Sequence, residues 1–305
     1  MKSTLKLTGL VAATHTPFHA DGSLNAGGID KQAEFLASQG VKFVFMTGST
    51  GESSSMQLAE RKECYLAWKE AGVKHNVGVI AHTGSNSVWD SQELAALAQE
   101  CGFLATSSLA PSYFKPGSVE ALVECCAKAA SGAPELPYYY YDIPPLTGVS
   151  FRPTDVIKLA KERIPNFAGL KFTNPDLALY SDALNLDKDM DIPWGVDEWF
   201  LGALATGAKG AVGSSFNFAP ALYQNLIKAF NEGDMEKARE LQLLSVKMIN
   251  ILAAKGYMGC AKVVMGWHGV DVGPARLPQM NPSESTISAL RSELEEIGFF
   301  NWALN

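Results

Sequence analysis

No stretch of this 305-residue chain is apolar for long enough to span a bilayer, so a membrane-spanning helix is not expected. Basic clusters are also missing. The 25 Lys and Arg are outnumbered by 32 Asp and Glu, for a net charge of -7. Phosphate-backbone binding needs clustered cations, so nucleic acid is excluded as a partner. Cysteine is scarce: Cys64, Cys101, Cys125, Cys126 and Cys260 form an odd set without a C-x-x-C pair. Most fall in helix-like segments, where cysteine acts as a small buried hydrophobe. No disulfide framework is expected, and a reducing, cytoplasmic location is. The five histidines, His15, His19, His75, His82 and His268, form no H-E-x-x-H, so no metal site is indicated. Repeats of solenoid period and low-complexity segments are absent too. At the start, Lys2 and Lys6 precede the apolar Leu7 to Ala13 in loose imitation of a signal peptide. Thr8 and Gly9 interrupt that stretch, which reads as a first β-strand.

What is present is an alternation of short apolar runs with helix-period segments. Strands are expected at Leu10–Thr14, Phe43–Met46, Val77–Ala81, Phe103–Leu109, Tyr138–Tyr141 and Phe167–Phe172, with a seventh ending at Trp194–Val196 and an eighth at Gly210–Gly213. Helices are expected between them at Gly28–Ser38, Leu58–Trp68, Ser91–Glu100, Val119–Ala130, Val156–Lys161, Ala178–Leu184 and Phe200–Ala205, and after them at Leu222–Phe230. Eight strand–helix units predict a closed parallel (β/α)8 TIM barrel. A doubly wound sheet is the competitor, but no G-x-G-x-x-G follows the first strand. Residues 1–232 are assigned to the barrel and 233–305 to a C-terminal helical extension. There Leu241, Leu244, Met248 and Ile251 recur at helical spacing, Gly256 and Gly259 break the run, and helices follow at Cys260–Trp267 and Ser283–Ile297.

In such a barrel the chemistry sits at the C-terminal ends of the strands. Lys171 is the most informative residue there. It closes the apolar run I-P-N-F-A-G-L-K. Desolvation lowers a lysine's pKa, and a neutral amine attacks carbonyls. A lysine that snorkels to the rim is the plainer reading. Tyr141 ends a run of four tyrosines, which a strand favours anyway, and its phenol could shuttle a proton. Gly48–Glu52, G-S-T-G-E, is either a tight turn before a helix or a cradle of hydroxyls and N–H groups for a carboxylate. Asp197 and Glu198 either favour a helix N-terminus or bind substrate hydroxyls. Ser214 is a cap or a substrate contact.

Taken together, G-S-T-G-E, Y-D-I-P-x-x-T-G and G-L-K-F-T, in this order and spacing, resemble the class I pyruvate-dependent aldolases of the N-acetylneuraminate lyase and dihydrodipicolinate synthase family, over nearly the whole chain. The resemblance implies a (β/α)8 barrel with a helical extension, a homotetramer, and no metal or organic cofactor. It assigns Lys171 as the Schiff-base nucleophile, Tyr141 as general acid/base, and Ser49 and Thr50 as ligands of the pyruvoyl carboxylate. Tyr113, in P-S-Y-F-K-P, is similar to a tyrosine that projects towards a neighbouring subunit's site. The synthases carry an arginine where this chain has Leu146. The lyases carry G-x-D-E and a later serine, matched here by Gly195, Asp197, Glu198, Gly213 and Ser214, with Thr173 as a further polar contact. P-L-T-G and the late G-P-A-R-L-P also look lyase-like. The expected reaction is reversible cleavage of N-acetylneuraminate to pyruvate and N-acetylmannosamine, the small-molecule partners of the site. A 2-keto-3-deoxy sugar acid aldolase and a non-catalytic sugar-acid binding barrel are the rivals.

Overall fold

The structure, a computed structural model, describes residues 5–304. Lys2 lies outside them. The apolar segment after Lys6 is strand β1, Gly9–Ala13, buried in the sheet. The elements then follow as α1 (Gly28–Ser38), β2 (Phe43–Met46), α2 (Leu58–His75), β3 (Gly78–His82), α3 (Val88–Glu100), β4 (Ala105–Leu109), α4 (Val119–Ala130), β5 (Tyr138–Asp142), a short α5 (Pro144–Thr147), α6 (Pro153–Arg163), β6 (Phe167–Phe172), α7 (Leu177–Leu186), α8 (Phe200–Thr206), β7 (Gly210–Gly213) and α9 (Pro220–Asn231). The extension supplies α10 (Met235–Ala253), α11 (Tyr257–Trp267), α12 (Glu284–Glu296) and α13 (Phe299–Trp302). Gly256 breaks the chain at positive φ, as expected, but Gly259 lies inside α11. No helix among the described residues is long and apolar enough to cross a membrane.

The described strands form one curled, all-parallel, seven-stranded sheet in the order β6-β5-β4-β3-β2-β1-β7. The expected seventh strand is not a strand. The segment before Gly195 makes isolated parallel bridges instead, from Asp191 to Gly169, from Trp194 to Phe172, and from Trp194 to Ala211. Pro193 explains the interruption: it has no N–H for a ladder. Its carbonyl still accepts from Phe172 N at 3.0 Å.

Side-chain alternation divides the core in two. Leu10, Ala12, Val44, Met46, Val79, Ala81, Tyr138 and Tyr140 face the helices. Val11, Ala13, Phe45, Ile80, Ala105, Tyr139, Tyr141 and Val212 pack against one another on the concave face. The run of four tyrosines is thus shared between two environments, as a period of two demands. Residues buried on both faces explain why the strands read as continuous apolar runs. Over the outer face, Phe172, Tyr180 and Trp194 pack together, with ring centroids 4.9–5.7 Å apart, and seat α7 across β6 and the bridged segment.

A β-bulge aims the key lysine. Tyr138 pairs with Phe167, but Tyr139 pairs with Gly169, so β6 carries one extra residue. Strict alternation would send Ala168 and Lys171 to opposite faces. Ala168 belongs to the concave cluster, and beyond the bulge Lys171 is the register partner of Tyr141. An inserted residue re-aims the side chains after it, so both reach the concave face.

Candidate functional site

The ends of β2, β3 and β5 place Phe45, His82 and Tyr141 around the amine that β6 supplies. Lys171 is buried at 4% exposure. Its Nζ lies 3.5 Å from the ring centroid of Tyr141 and 4.5 Å from that of Phe45. Burial lowers its pKa, an effect that Tyr141 and the more distant Asp197 partly oppose. A fixed neutral fraction of this amine is therefore available at a lower pH than for a surface lysine. The rim-lysine reading does not survive: the ammonium end is enclosed.

The Tyr141 ring is held edge-on by Phe45 (5.6 Å between centroids, 81°) and by His82 (5.7 Å, 88°). Its Oη is 3.4 Å from Ser49 Oγ, and either oxygen can donate. The sequence marks His82, at the end of β3, only as a histidine outside any metal pattern. Burial pushes its pKa well down, so the ring is neutral at ordinary pH. Its Nδ1 is 2.8 Å from the Thr47 carbonyl, which leaves the proton on Nδ1. A histidine ending an apolar strand, V-I-A-H, is the signal that could have found it.

Gly48–Glu52 is a tight turn that leads into a short 3-10 turn, Ser53–Ser55, and not directly into α2. Non-glycine residues in the left-handed region flank and end it: Thr47 at φ 48° and Glu52 at φ 55°. Each costs about 1–3 kcal/mol, so surrounding contacts must impose it. Thr47 Oγ1 donates to the His82 carbonyl at 3.0 Å, and that carbonyl also accepts from Arg61 and from Tyr65. Within the turn, Ser49 is half-buried, and Thr50 is buried beside His15. The imidazole of His15 is neutral, its pKa pushed down to about 3 by burial and by Lys262.

The acids after the bridged segment behave differently from each other. Asp197 is buried, while Glu198 is partly exposed. Asp197 Oδ2 accepts from Ser215 N at 2.9 Å and from Ser215 Oγ at 2.5 Å. Gly213 is required there, because a Cβ on it would overlap Asp197 Oδ1. Gly195 plays the same part for Thr173, whose Oγ1 is buried without a partner. Ser214 meets Tyr257 of α11, Oγ to Oη 2.7 Å, and burial beside Asp197 and Glu198 raises the pKa of that phenol. Ser215 and Tyr257 were not anticipated. Ser215 stands one residue past the expected contact, and Tyr257 comes from the extension, where no local pattern marks it.

Two expected features stand apart from this cluster. Tyr113 is 78% exposed on the loop before α4, its ring edge-on to that of the still more exposed Phe114. Leu146, in α5, is 64% exposed and offers no cation.

Burial raises the Asp197 pKa to about 6, and the Ser215 hydrogen bonds only partly offset this. A carboxyl whose folded pKa lies above its unfolded value of about 3.8 binds more protons when folded. The stability tied to its neutral form is full below the unfolded pKa and is lost as pH rises through the folded one. Asp197→Asn is therefore expected to be stabilising relative to the native chain. The difference should grow by roughly 3 kcal/mol, at ~1.4 per pKa unit, between pH ~4 and ~6 and then level off. Urea melts across that range measure it; a pH-independent difference would remove burial of the charge as the cause.

Comparison with known proteins agrees with this geometry. Residues 6–297 match the Dihydrodipicolinate synthetase family. N-acetylneuraminate lyase A of Xenopus laevis is 39% identical over 278 residues, which cover 90% of each chain. The solved N-acetylneuraminate lyase of Proteus mirabilis superposes with a TM-score of 0.93 at 37% identity, covering 97% of this chain and all of that one. That of Aliivibrio salmonicida gives 0.93 at 39% identity, covering 97% and 98%. A bulge-aimed lysine against a tyrosine, on a curled parallel sheet matched from end to end, leaves one assignment: the chain belongs to the Dihydrodipicolinate synthetase family.

Proposed function

We propose that the protein is a Schiff-base aldolase that reversibly cleaves N-acetylneuraminate to pyruvate and N-acetylmannosamine. The observation that carries this reading is the enclosed Lys171 amine, 3.5 Å from the Tyr141 ring centroid and with a lowered pKa. Its relatives carry the matching name, N-acetylneuraminate lyase.

The neutral amine of Lys171 adds to the C2 ketone, and the carbinolamine loses water to give an iminium. Tyr141 gives its phenol proton to the hydroxyl that leaves as water, and the phenolate so formed then takes the proton of the C4 hydroxyl. The freed electron pair forms the aldehyde carbonyl, the C3–C4 bond breaks, and its pair flows through C2 to the iminium nitrogen. The enamine that remains is protonated at C3, and water hydrolyses it to pyruvate and free Lys171. The iminium is the electron sink. Ser49 and Thr50 hold the carboxylate. Ser49 also meets the Tyr141 oxygen, so carboxylate and proton carrier share one anchor.

Specificity for a polyhydroxy tail rests on Asp197, Glu198, Thr173 and Ser214, with Gly195 and Gly213 leaving room for the first and third of these. Carboxylates and hydroxyls accept and exchange hydrogen bonds with sugar hydroxyls. Two acids repel a second carboxylate, and Leu146 supplies no cation to hold one. This disfavours the aldehyde-acid partner of the synthases.

The architecture that goes with this reading is a closed (β/α)8 barrel over residues 1–232, with the Asp191–Trp194 bridges in the place of a strand between β6 and β7, and a helical extension over 233–305. Tyr113, exposed here, would complete the site of a neighbouring copy in a homotetramer. A cytoplasmic location suits the five free cysteines.

Comparing turnover of N-acetylneuraminate with that of 2-keto-3-deoxygluconate tests the substrate assignment. The polar tail site predicts at least tenfold higher kcat/KM for N-acetylneuraminate, about 1.4 kcal/mol of extra transition-state binding. Equal or reversed values would assign the protein to the shorter sugar acids.

A further inference from the structure

Glu52 ends the turn that carries Ser49 and Thr50, and the extension grips it. Lys262, on α11, is 3% exposed. Its Nζ forms an ion pair with Glu52 Oε1 at 2.7 Å and donates to the carbonyls of Thr16 (2.9 Å) and Pro274 (2.8 Å). The other carboxylate oxygen, Glu52 Oε2, accepts from the backbone N–H of Arg276 at 2.7 Å. The Arg276 guanidinium reaches the carbonyl of Ser55 at 3.1 Å and both oxygens of Glu60. Phe18 lies between the two cations, 4.4 Å from Lys262 Nζ and 4.0 Å from Arg276 Cζ. Thr16, whose carbonyl Lys262 holds, donates its own hydroxyl to Gly51 O at 2.7 Å.

We infer that Lys262, seconded by Arg276, is a positioning residue for recognition of the 2-oxo acid carboxylate: it holds Glu52 in its left-handed conformation and so sets the orientation of Ser49 and Thr50. The inference rests on the Schiff-base reading of the site. The mechanical link is short. Glu52 N donates to Ser49 O at 3.0 Å, so the backbone angle at Glu52 fixes the peptide next to Thr50. A non-glycine residue at φ 55° is held there by its surroundings or not at all. The grip comes from the helical extension, more than two hundred residues along the chain. A buried ion pair adds little net stability over an apolar pair of the same shape. Conformational control of the turn is the role that this geometry gives it. The extension is thereby part of the carboxylate site, although none of the clamp residues touches the substrate.

The test separates carboxylate recognition from general damage. Lys171 is trapped with borohydride across a range of pyruvate concentrations, and separately across a range of propanal, which has a carbonyl but no carboxylate. Site-resolved mass spectrometry reads each adduct on Lys171. In Lys262→Met the half-saturating pyruvate concentration rises at least tenfold, while propanal trapping stays within twofold of the native chain. Glu52→Gln keeps the side chain's shape but loses the charge. It gives the same pattern with a smaller shift, at least threefold, and decides alone if the lysine variant does not fold. Parallel losses for both carbonyls, or unchanged pyruvate dependence, overturn the clamp while the Schiff-base reading stands. Absence of a pyruvate adduct in the native chain removes that reading, and the clamp with it.

Discussion

Lys171→Ala abolishes turnover of N-acetylneuraminate, with an expected loss on the order of 10^5-fold or more, the scale reached when a covalent nucleophile is deleted. No neighbour can substitute. The other buried lysine among the described residues, Lys262, is committed to its ion pair with Glu52 at 2.7 Å and to the carbonyls of Thr16 and Pro274. The histidine of the same layer, His82, points its Nδ1 at the Thr47 carbonyl. The fold should survive the change. Lys171 makes its closest described contacts with the rings of Tyr141 and Phe45, and truncation also removes the cost of burying an amine that is charged part of the time. A melting curve with the native cooperativity, alongside absent turnover, is the expected pair of results. Measurable turnover in a homogeneous Lys171→Ala preparation would contradict covalent catalysis by this residue.

The second large effect is at Tyr141. Tyr141→Phe should lower kcat by about 10^2–10^4-fold, the usual range for removal of a general acid/base, while the pyruvate adduct on Lys171 still forms. The geometry makes this a clean deletion. The ring is clamped by Phe45 and His82 at centroid distances of 5.6 and 5.7 Å, and the polar partners of its oxygen are Ser49 Oγ at 3.4 Å and the Lys171 amine. Phenylalanine keeps every one of the ring contacts and removes only the oxygen. The loss should therefore fall on C–C cleavage and its proton transfer, not on folding; the adduct still forms because imine formation can draw its proton from water. Rapid-quench measurement of adduct formation beside steady-state turnover separates the two. An unchanged kcat takes the tyrosine out of proton transfer. Loss of the adduct as well would show that the oxygen is needed earlier, for addition or dehydration.

The parts of the fold that were legible in the sequence are those with a local physical signature. Apolar runs such as Phe43–Met46 and Gly210–Gly213 became strands with the expected bounds. Helix ends shifted where capping extends the pattern. The α2 helix runs on to His75 before Asn76 ends it in the left-handed region, and α6 starts at Pro153, a residue suited to a first turn. The segment before Gly195 looked like a strand by its hydrophobicity, but the missing N–H of Pro193 limits it to bridges. At the site, Lys171, Tyr141 and Ser49 were legible as strand-end residues, and the structure brings them together. The bulge in β6 was not, because an extra residue in one strand is defined only by its partner. The Lys262–Glu52 pair joins residues at opposite ends of the chain, and no spacing rule could connect them. Tyr257 and Ser215 share that reason: each acts through a contact that exists only once α11 and β7 are packed.

The most direct measurement of the central claim is reduction with borohydride in the presence of pyruvate, followed by peptide mass spectrometry of the native protein. One carboxyethyl group per chain is expected, on the Lys171 nitrogen and on no other lysine at saturating pyruvate. An unmodified Lys171, or modification spread over surface lysines such as Lys74 and Lys237 with Lys171 spared, would contradict it.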